Sequence, residues 1–139
     1  VRTDPKMISE VYSSDASQRT YRYLLNTTKN ICQSGFSVII DATFLKSTHR
    51  KPFQELAKEL NIPFVILHFY AEEQLLHQWI TRRIQEGNDA SEATIKVLQH
   101  QLTIIEPVSE NEADHIISIN SGHEHATEQL LSEVIKGTL

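Results

Sequence analysis

The sequence predicts an α/β fold, a parallel sheet with helices on both faces. Three observations carry this. Short, continuous apolar runs recur at residues 36–40, 63–69 and 115–119. Each lies between stretches of helical periodicity, and strands buried in a parallel sheet read as unbroken apolar runs. Polar residues Asp4, Asp41 and Tyr70 stand at the ends of strand-like runs, where ligands of such sheets bind.

The elements follow in order. Val1-Arg2-Thr3-Asp4 reads as the tail of a strand already under way, so the chain is expected to be the C-terminal portion of a longer protein. Asp15 and Gln18 have capping-box spacing. Tyr21, Leu24, Leu25 and Thr28 then follow the i, i+3, i+4, i+7 rule, with Ile31 and Cys32 continuing the stripe. Gly35 is placed to stop this helix. Residues 36–40 (Phe-Ser-Val-Ile-Ile) read as a buried strand. Phe53, Leu56, Ala57 and Leu60 mark a second helix, ended by Asn61 and Pro63. Residues 63–69 form the next buried strand. Leu75, Leu76, Trp79 and Ile80 mark a helix from Glu72 to about Gln85, broken by Gly87-Asn88-Asp89. Asp89 and Glu92 open a fourth helix, striped by Val97, Leu98, Gln101 and Leu102 and ended at Glu106-Pro107. Residues 115–119 are the last strand, and Leu130, Leu131, Val134 and Ile135 mark a closing helix.

Length and composition restrict the function classes. A chain of 139 residues is one ordinary domain, 1–139, able to bury a real core. A net charge of -5 argues against a broad basic face for nucleic acid. The single cysteine, Cys32, can form no internal disulfide, and the longest apolar run, Phe64 to Leu67, is too short to span a bilayer. The cytoplasm is the expected compartment.

Several residues could carry chemistry. A carboxylate straight after a buried strand is costly unless paired or bound; Asp41 could hold a hydrated Mg²⁺ or orient a hydroxyl, or cap the following loop. Asp4 could accept a proton from an acceptor hydroxyl, or begin an Asp-Pro turn. Arg82 and Arg83, before the Gly87 break, could clamp phosphoryl oxygens from a hinged lid or lie on a solvated helix face. Arg50 and Lys51 open a helix where positive charge opposes the dipole; Arg50 either faces a phosphate or pairs with an acid. His123 and His125 lack convincing zinc-ligand spacing. The Gly-x-x-x-x-Gly-Lys-Ser/Thr phosphate loop is absent from these residues.

Taken together, these segments resemble the predicted-kinase branch of P-loop ATPases, an AAA-type ATP-binding domain related to polynucleotide kinase and zeta-toxin-type kinases. In bacteria it is often fused behind an aminoglycoside-phosphotransferase-like domain. The resemblance rests on Arg2-Thr3-Asp4, Gln18-Arg19-Thr20-Tyr21 with Leu24-Leu25, and Gly35 through Leu45 with its Asp41-Ala42-Thr43-Phe44-Leu45 block. It continues through Arg50 with Phe53, Arg83, and Gly87-Asn88-Asp89-Ala90-Ser91-Glu92-Ala93 with Val97-Leu98 and Gln101. Glu106-Pro107 and Glu112 close the series, so the match spans nearly the whole chain in order.

The resemblance implies a three-layer P-loop NTPase-like parallel sheet whose first, Walker A strand lies upstream of residue 1. It implies that Asp4 faces the acceptor hydroxyl, Asp41 is the Walker-B-like acid near Mg²⁺, and Arg83 is the lid arginine. Asp89, Ser91 and Glu92 match the lid's second half, and Thr43 and Arg50 are carried over as substrate-side or lid residues. Trp79 departs from the family, which usually places another lid arginine there. The stretch from Asp4 to Tyr12 is shorter than usual. The implied activity is transfer of the ATP γ-phosphoryl to a hydroxyl acceptor, with ATP and Mg²⁺ bound only once the upstream phosphate loop is present. The alternative is a non-catalytic nucleotide-binding or regulatory module of a larger phosphotransferase. A fused or upstream domain and a homo-oligomer both stay open; a membrane is not expected, and nucleic acid ranks last. Because the Walker A strand would sit between the strands at 36–40 and 63–69, that position is expected to be filled by another segment or closed by its neighbours. Buried, unpaired backbone groups there would cost roughly 1–3 kcal/mol each.

Overall fold

The computed structural model describes residues 14–86 and 95–133. Five helices and two strands are assigned among them: α1 (Ser14–Gln33), α2 (Ser47–Leu60), β1 (Val65–Tyr70), α3 (Glu73–Glu86), α4 (Ile95–Ile104), β2 (His115–Asn120) and α5 (Ala126–Glu133). Asp4, the 87–94 stretch with Asp89, Ser91 and Glu92, and Val134 and Ile135 lie outside the described residues.

The helix ends obey the local chemistry. Gly35, at φ 84°, closes α1: its N–H reaches Cys32 O at 3.0 Å and the Phe36 N–H reaches Ile31 O at 3.3 Å. This is the paired hydrogen bonding of a helix ended by a left-handed residue. Asn61, at φ 52°, closes α2 in the same way, with Ile62 N–H on Ala57 O at 3.0 Å. Asn tolerates the left-handed region because its short polar side chain can bond locally. The stop signals read at Gly35 and Asn61 therefore sit where expected.

β1 and β2 pair in parallel, in register from Val65 with His115 to Tyr70 with Asn120. α3 and α4 form the connection between them. Asp114 ties the two strand starts together: its carboxylate accepts the Phe64 N–H at 2.8 Å, and its own N–H donates to Phe64 O at 3.0 Å. α1 packs on α2, α5 on β2 and α3 on α4. The buried apolar residues are Phe53, Leu56 and Ala57 from α2, Leu98 from α4, and Ile117 and Ile119 from β2.

The structure corrects the sequence reading in two places. Among the described residues, 36–40 join no ladder, and the sheet has two strands. Phe36 is 70% exposed and Ile39 90%; an apolar run becomes a buried strand only where a neighbour takes up its backbone groups. β1 is not buried on both faces either. Leu67 and Phe69 share a sheet face with Ile117 and Ile119, yet the β1 pair is exposed while the β2 pair is buried.

Candidate functional site

Asp41-Ala42-Thr43 is an exposed stretch on the approach to α2, and the residues that follow it are held by side chains from three separate segments. Phe44 sits at φ 44°, in the left-handed region. A bulky residue there costs about 1–3 kcal/mol and persists only when its surroundings over-determine it. Both of its backbone groups are held by side chains. The Phe44 N–H donates to the Tyr21 hydroxyl at 2.9 Å, and the Phe44 carbonyl accepts from Arg50 Nη1 at 2.9 Å. The ring is gripped as well, at 5.1 Å from Tyr21 and edge-on to Phe53 at 5.3 Å. Tyr21 Oη also lies 3.3 Å from Thr43 Oγ1.

Arg50 is the centre of this junction. It is only 5% exposed, and all five of its N–H donors have acceptors. Nε and Nη2 engage Glu112 as a fork; Nη1 bonds Phe44 O and Glu106 O, and Nη2 also reaches Pro107 O. Of the two readings of Arg50, pairing with an acid is the one the geometry shows. A guanidinium whose every donor is engaged has none to offer a phosphate, which corrects its placement among substrate-side residues. Lysine could not replace it, since an ammonium has three donors and no planar fork.

Glu106 answers the charge problem at the start of α2. Its carboxylate accepts from the Ser47 N–H at 2.8 Å and the Ser47 hydroxyl at 2.7 Å, while its own N–H donates to Leu45 O at 2.7 Å. An acid 59 residues downstream thus caps the helix and complements its dipole, where Lys46 at the N-cap makes no side-chain cap bond. The Ser47 hydroxyl and amide hold the Glu106 carboxyl below the usual carboxylate range. The Arg50 fork does the same for Glu112. His49 stacks on Tyr21 at 4.2 Å, and its Nδ1 is buried without a partner. Burial pushes its pKa down, and neighbouring Lys46 adds to the effect.

The other predicted residues are placed differently. Asp41 is exposed, two residues before Thr43, so its carboxylate is open to solvent. Arg83 is exposed in the last turn of α3, where positive charge suits the helix dipole. Arg82 pairs with Glu86 at 2.8 Å on the same exposed surface. Thr43 and Arg50 are thus joined through Tyr21 and Phe44, while Arg83 lies in the last turn of α3. Tyr21, Phe44, Glu106 and Glu112 are the residues that sequence reasoning did not assign to the site. Tyr21 could have been marked only as one of two hydroxyl-bearing residues in the stripe, with Thr28; the two acids gave no local signal, because their partners lie 56 to 62 residues away.

Among the described residues no group of three or more His, Cys, Asp or Glu could enclose a metal ion. An Asp carboxylate with a Thr hydroxyl two residues on is nevertheless a donor set that suits hydrated Mg²⁺, which keeps several waters and uses one or two carboxylates. No described helix is long and apolar enough to cross a membrane.

No curated protein matches the chain. A family model described as an AAA domain matches residues 2–108, which include Asp41, Thr43, Arg50 and Glu106. That match covers most of the chain, and the parallel β1–β2 pair with its helical connection agrees with the α/β fold the family implies. The chain therefore belongs to the AAA domain family, whose P-loop NTPase-like members are nucleotide-binding domains that generally bind ATP with Mg²⁺.

Proposed function

We propose that this chain is the acceptor-side and lid portion of an ATP-dependent phosphotransferase, acting with a phosphate loop that these 139 residues do not contain. The observation that carries the reading is the exposed Asp41–Thr43 stretch ending on a strained residue that Tyr21 and Arg50 hold from both sides. Strain maintained by remote side chains is found where a loop must present its groups in one conformation. The proposal includes the three-layer sheet of the family and a cytoplasmic location.

ATP with Mg²⁺ supplies the γ-phosphoryl and screens its charge. Asp41 would orient the hydrated ion, and Thr43 would offer its hydroxyl on the same loop. Asp4 would position an acceptor hydroxyl or take its proton, while Arg83, with Asp89, Ser91 and Glu92, would close over the transferring charge. Arg50 has a structural part in this scheme.

The test is transfer of label from γ-labelled ATP to hydroxyl acceptors by the full-length protein, with Mg²⁺ and with Asp41→Asn alongside. Transfer by the wild type, falling about 100-fold or more in the variant, is expected. Nucleotide binding with no transfer would favour a regulatory module instead.

A further inference from the structure

We infer that Tyr21 is a positioning residue: its hydroxyl fixes the backbone conformation in which Asp41 and Thr43 are presented. The inference rests on the nucleotide-facing reading of that loop. Tyr21 belongs to α1, 23 residues from the amide it holds, and nothing in helix formation requires a hydroxyl at that position. Its ring would pack equally well as phenylalanine, stacked on His49 and tilted against Phe44. What the oxygen adds is specific: it accepts the N–H of the one described non-glycine residue besides the α2 cap that lies in the left-handed region, and it reaches Thr43 Oγ1. Arg50 holds the opposite backbone group of the same residue. The two together leave Phe44 no relaxed alternative, and the direction of the chain before it, through Thr43 to Asp41, follows from that angle. Arg50 is also bound to Glu112 and to two further carbonyls, so it serves the whole junction. Tyr21 Oη is the contact that acts on this loop alone.

Tyr21→Phe removes the oxygen and keeps the ring. In the full-length protein without nucleotide, hydrogen exchange at the Phe44 amide should quicken about tenfold, as expected for one lost hydrogen bond. The thermal midpoint should fall by no more than a few degrees. With Mg²⁺ and ATP, kcat should fall by about 10- to 100-fold, while KM for ATP stays within about threefold because the phosphate loop is untouched. A purely packing role for Tyr21 would move neither the amide nor kcat. An active wild type matched by Tyr21→Phe in exchange and in kcat overturns the positioning role and leaves the nucleotide reading standing. A wild type that turns over no ATP overturns the nucleotide reading, and the positioning role with it.

Discussion

Two neighbouring parts of this chain treat their apolar and polar groups in opposite ways. Around Arg50, a charged side chain is buried, and segments 44–50 and 105–112 are held together by hydrogen bonds that satisfy it completely. Along residues 36–40 and β1, apolar side chains such as Phe36, Ile39 and Phe69 stand in solvent. Burial at the junction follows partners rather than hydropathy. A guanidinium with five acceptors is at home in the interior, whereas the run at 36–40, whose backbone joins no described ladder, stays outside.

Breaking the buried junction should have the largest effect. Glu112→Ala leaves Arg50 buried and without its counter-charge, and should cost about 3–5 kcal/mol in urea or thermal unfolding. Arg50→Lys should recover little, because the fork is lost.

Acid should sharpen the same contrast more gently. Burial lowers the His49 pKa from its ordinary 6.5, so the unfolded chain binds that proton more readily and stability falls as pH drops below that value. Glu106 and Glu112 are held below 4.5, so their contribution is fully present above 4.5 and is lost as pH falls through their lower folded values. Unfolding midpoints measured from pH 8 to 3 should therefore decline in two successive stages, and His49→Gln should remove the first.

The exposed side of the comparison predicts the smallest effect. Ile39→Ser changes a side chain that is already 90% exposed and should shift stability by no more than about 0.5 kcal/mol. A loss of several kcal/mol would mean that this side chain is covered in the folded protein.

Much of this organisation could be read in the sequence, and the parts that could not share a cause. Gly35 and Asn61 were legible because a left-handed helix end needs particular residues at particular places. The stripes of α1 and α2 were legible from periodicity, and the place of β2 from its apolar run, though His115 and Ser118 on it are exposed. The run at 36–40 has strand composition, but composition does not specify a neighbour, and pairing decides whether such a run is a strand. At the site, Asp41 and Thr43 could be nominated from their place after an apolar run. Arg50 could be narrowed to two readings, and only its partners 56 to 62 residues away chose between them. Phe44 gave no warning of its left-handed backbone, since that conformation is imposed by Tyr21 and Arg50 rather than preferred by phenylalanine.

The central question is whether the stretch before Phe44 faces the nucleotide. The most direct measurement is ATP turnover by the full-length protein with Asp41 intact and with Asp41→Asn, scored beside the melting curves of both. Collapse of turnover with superimposable melting is the predicted result, since Asp41 is exposed and takes no part in the buried junction. Equal turnover in the two proteins would contradict the account.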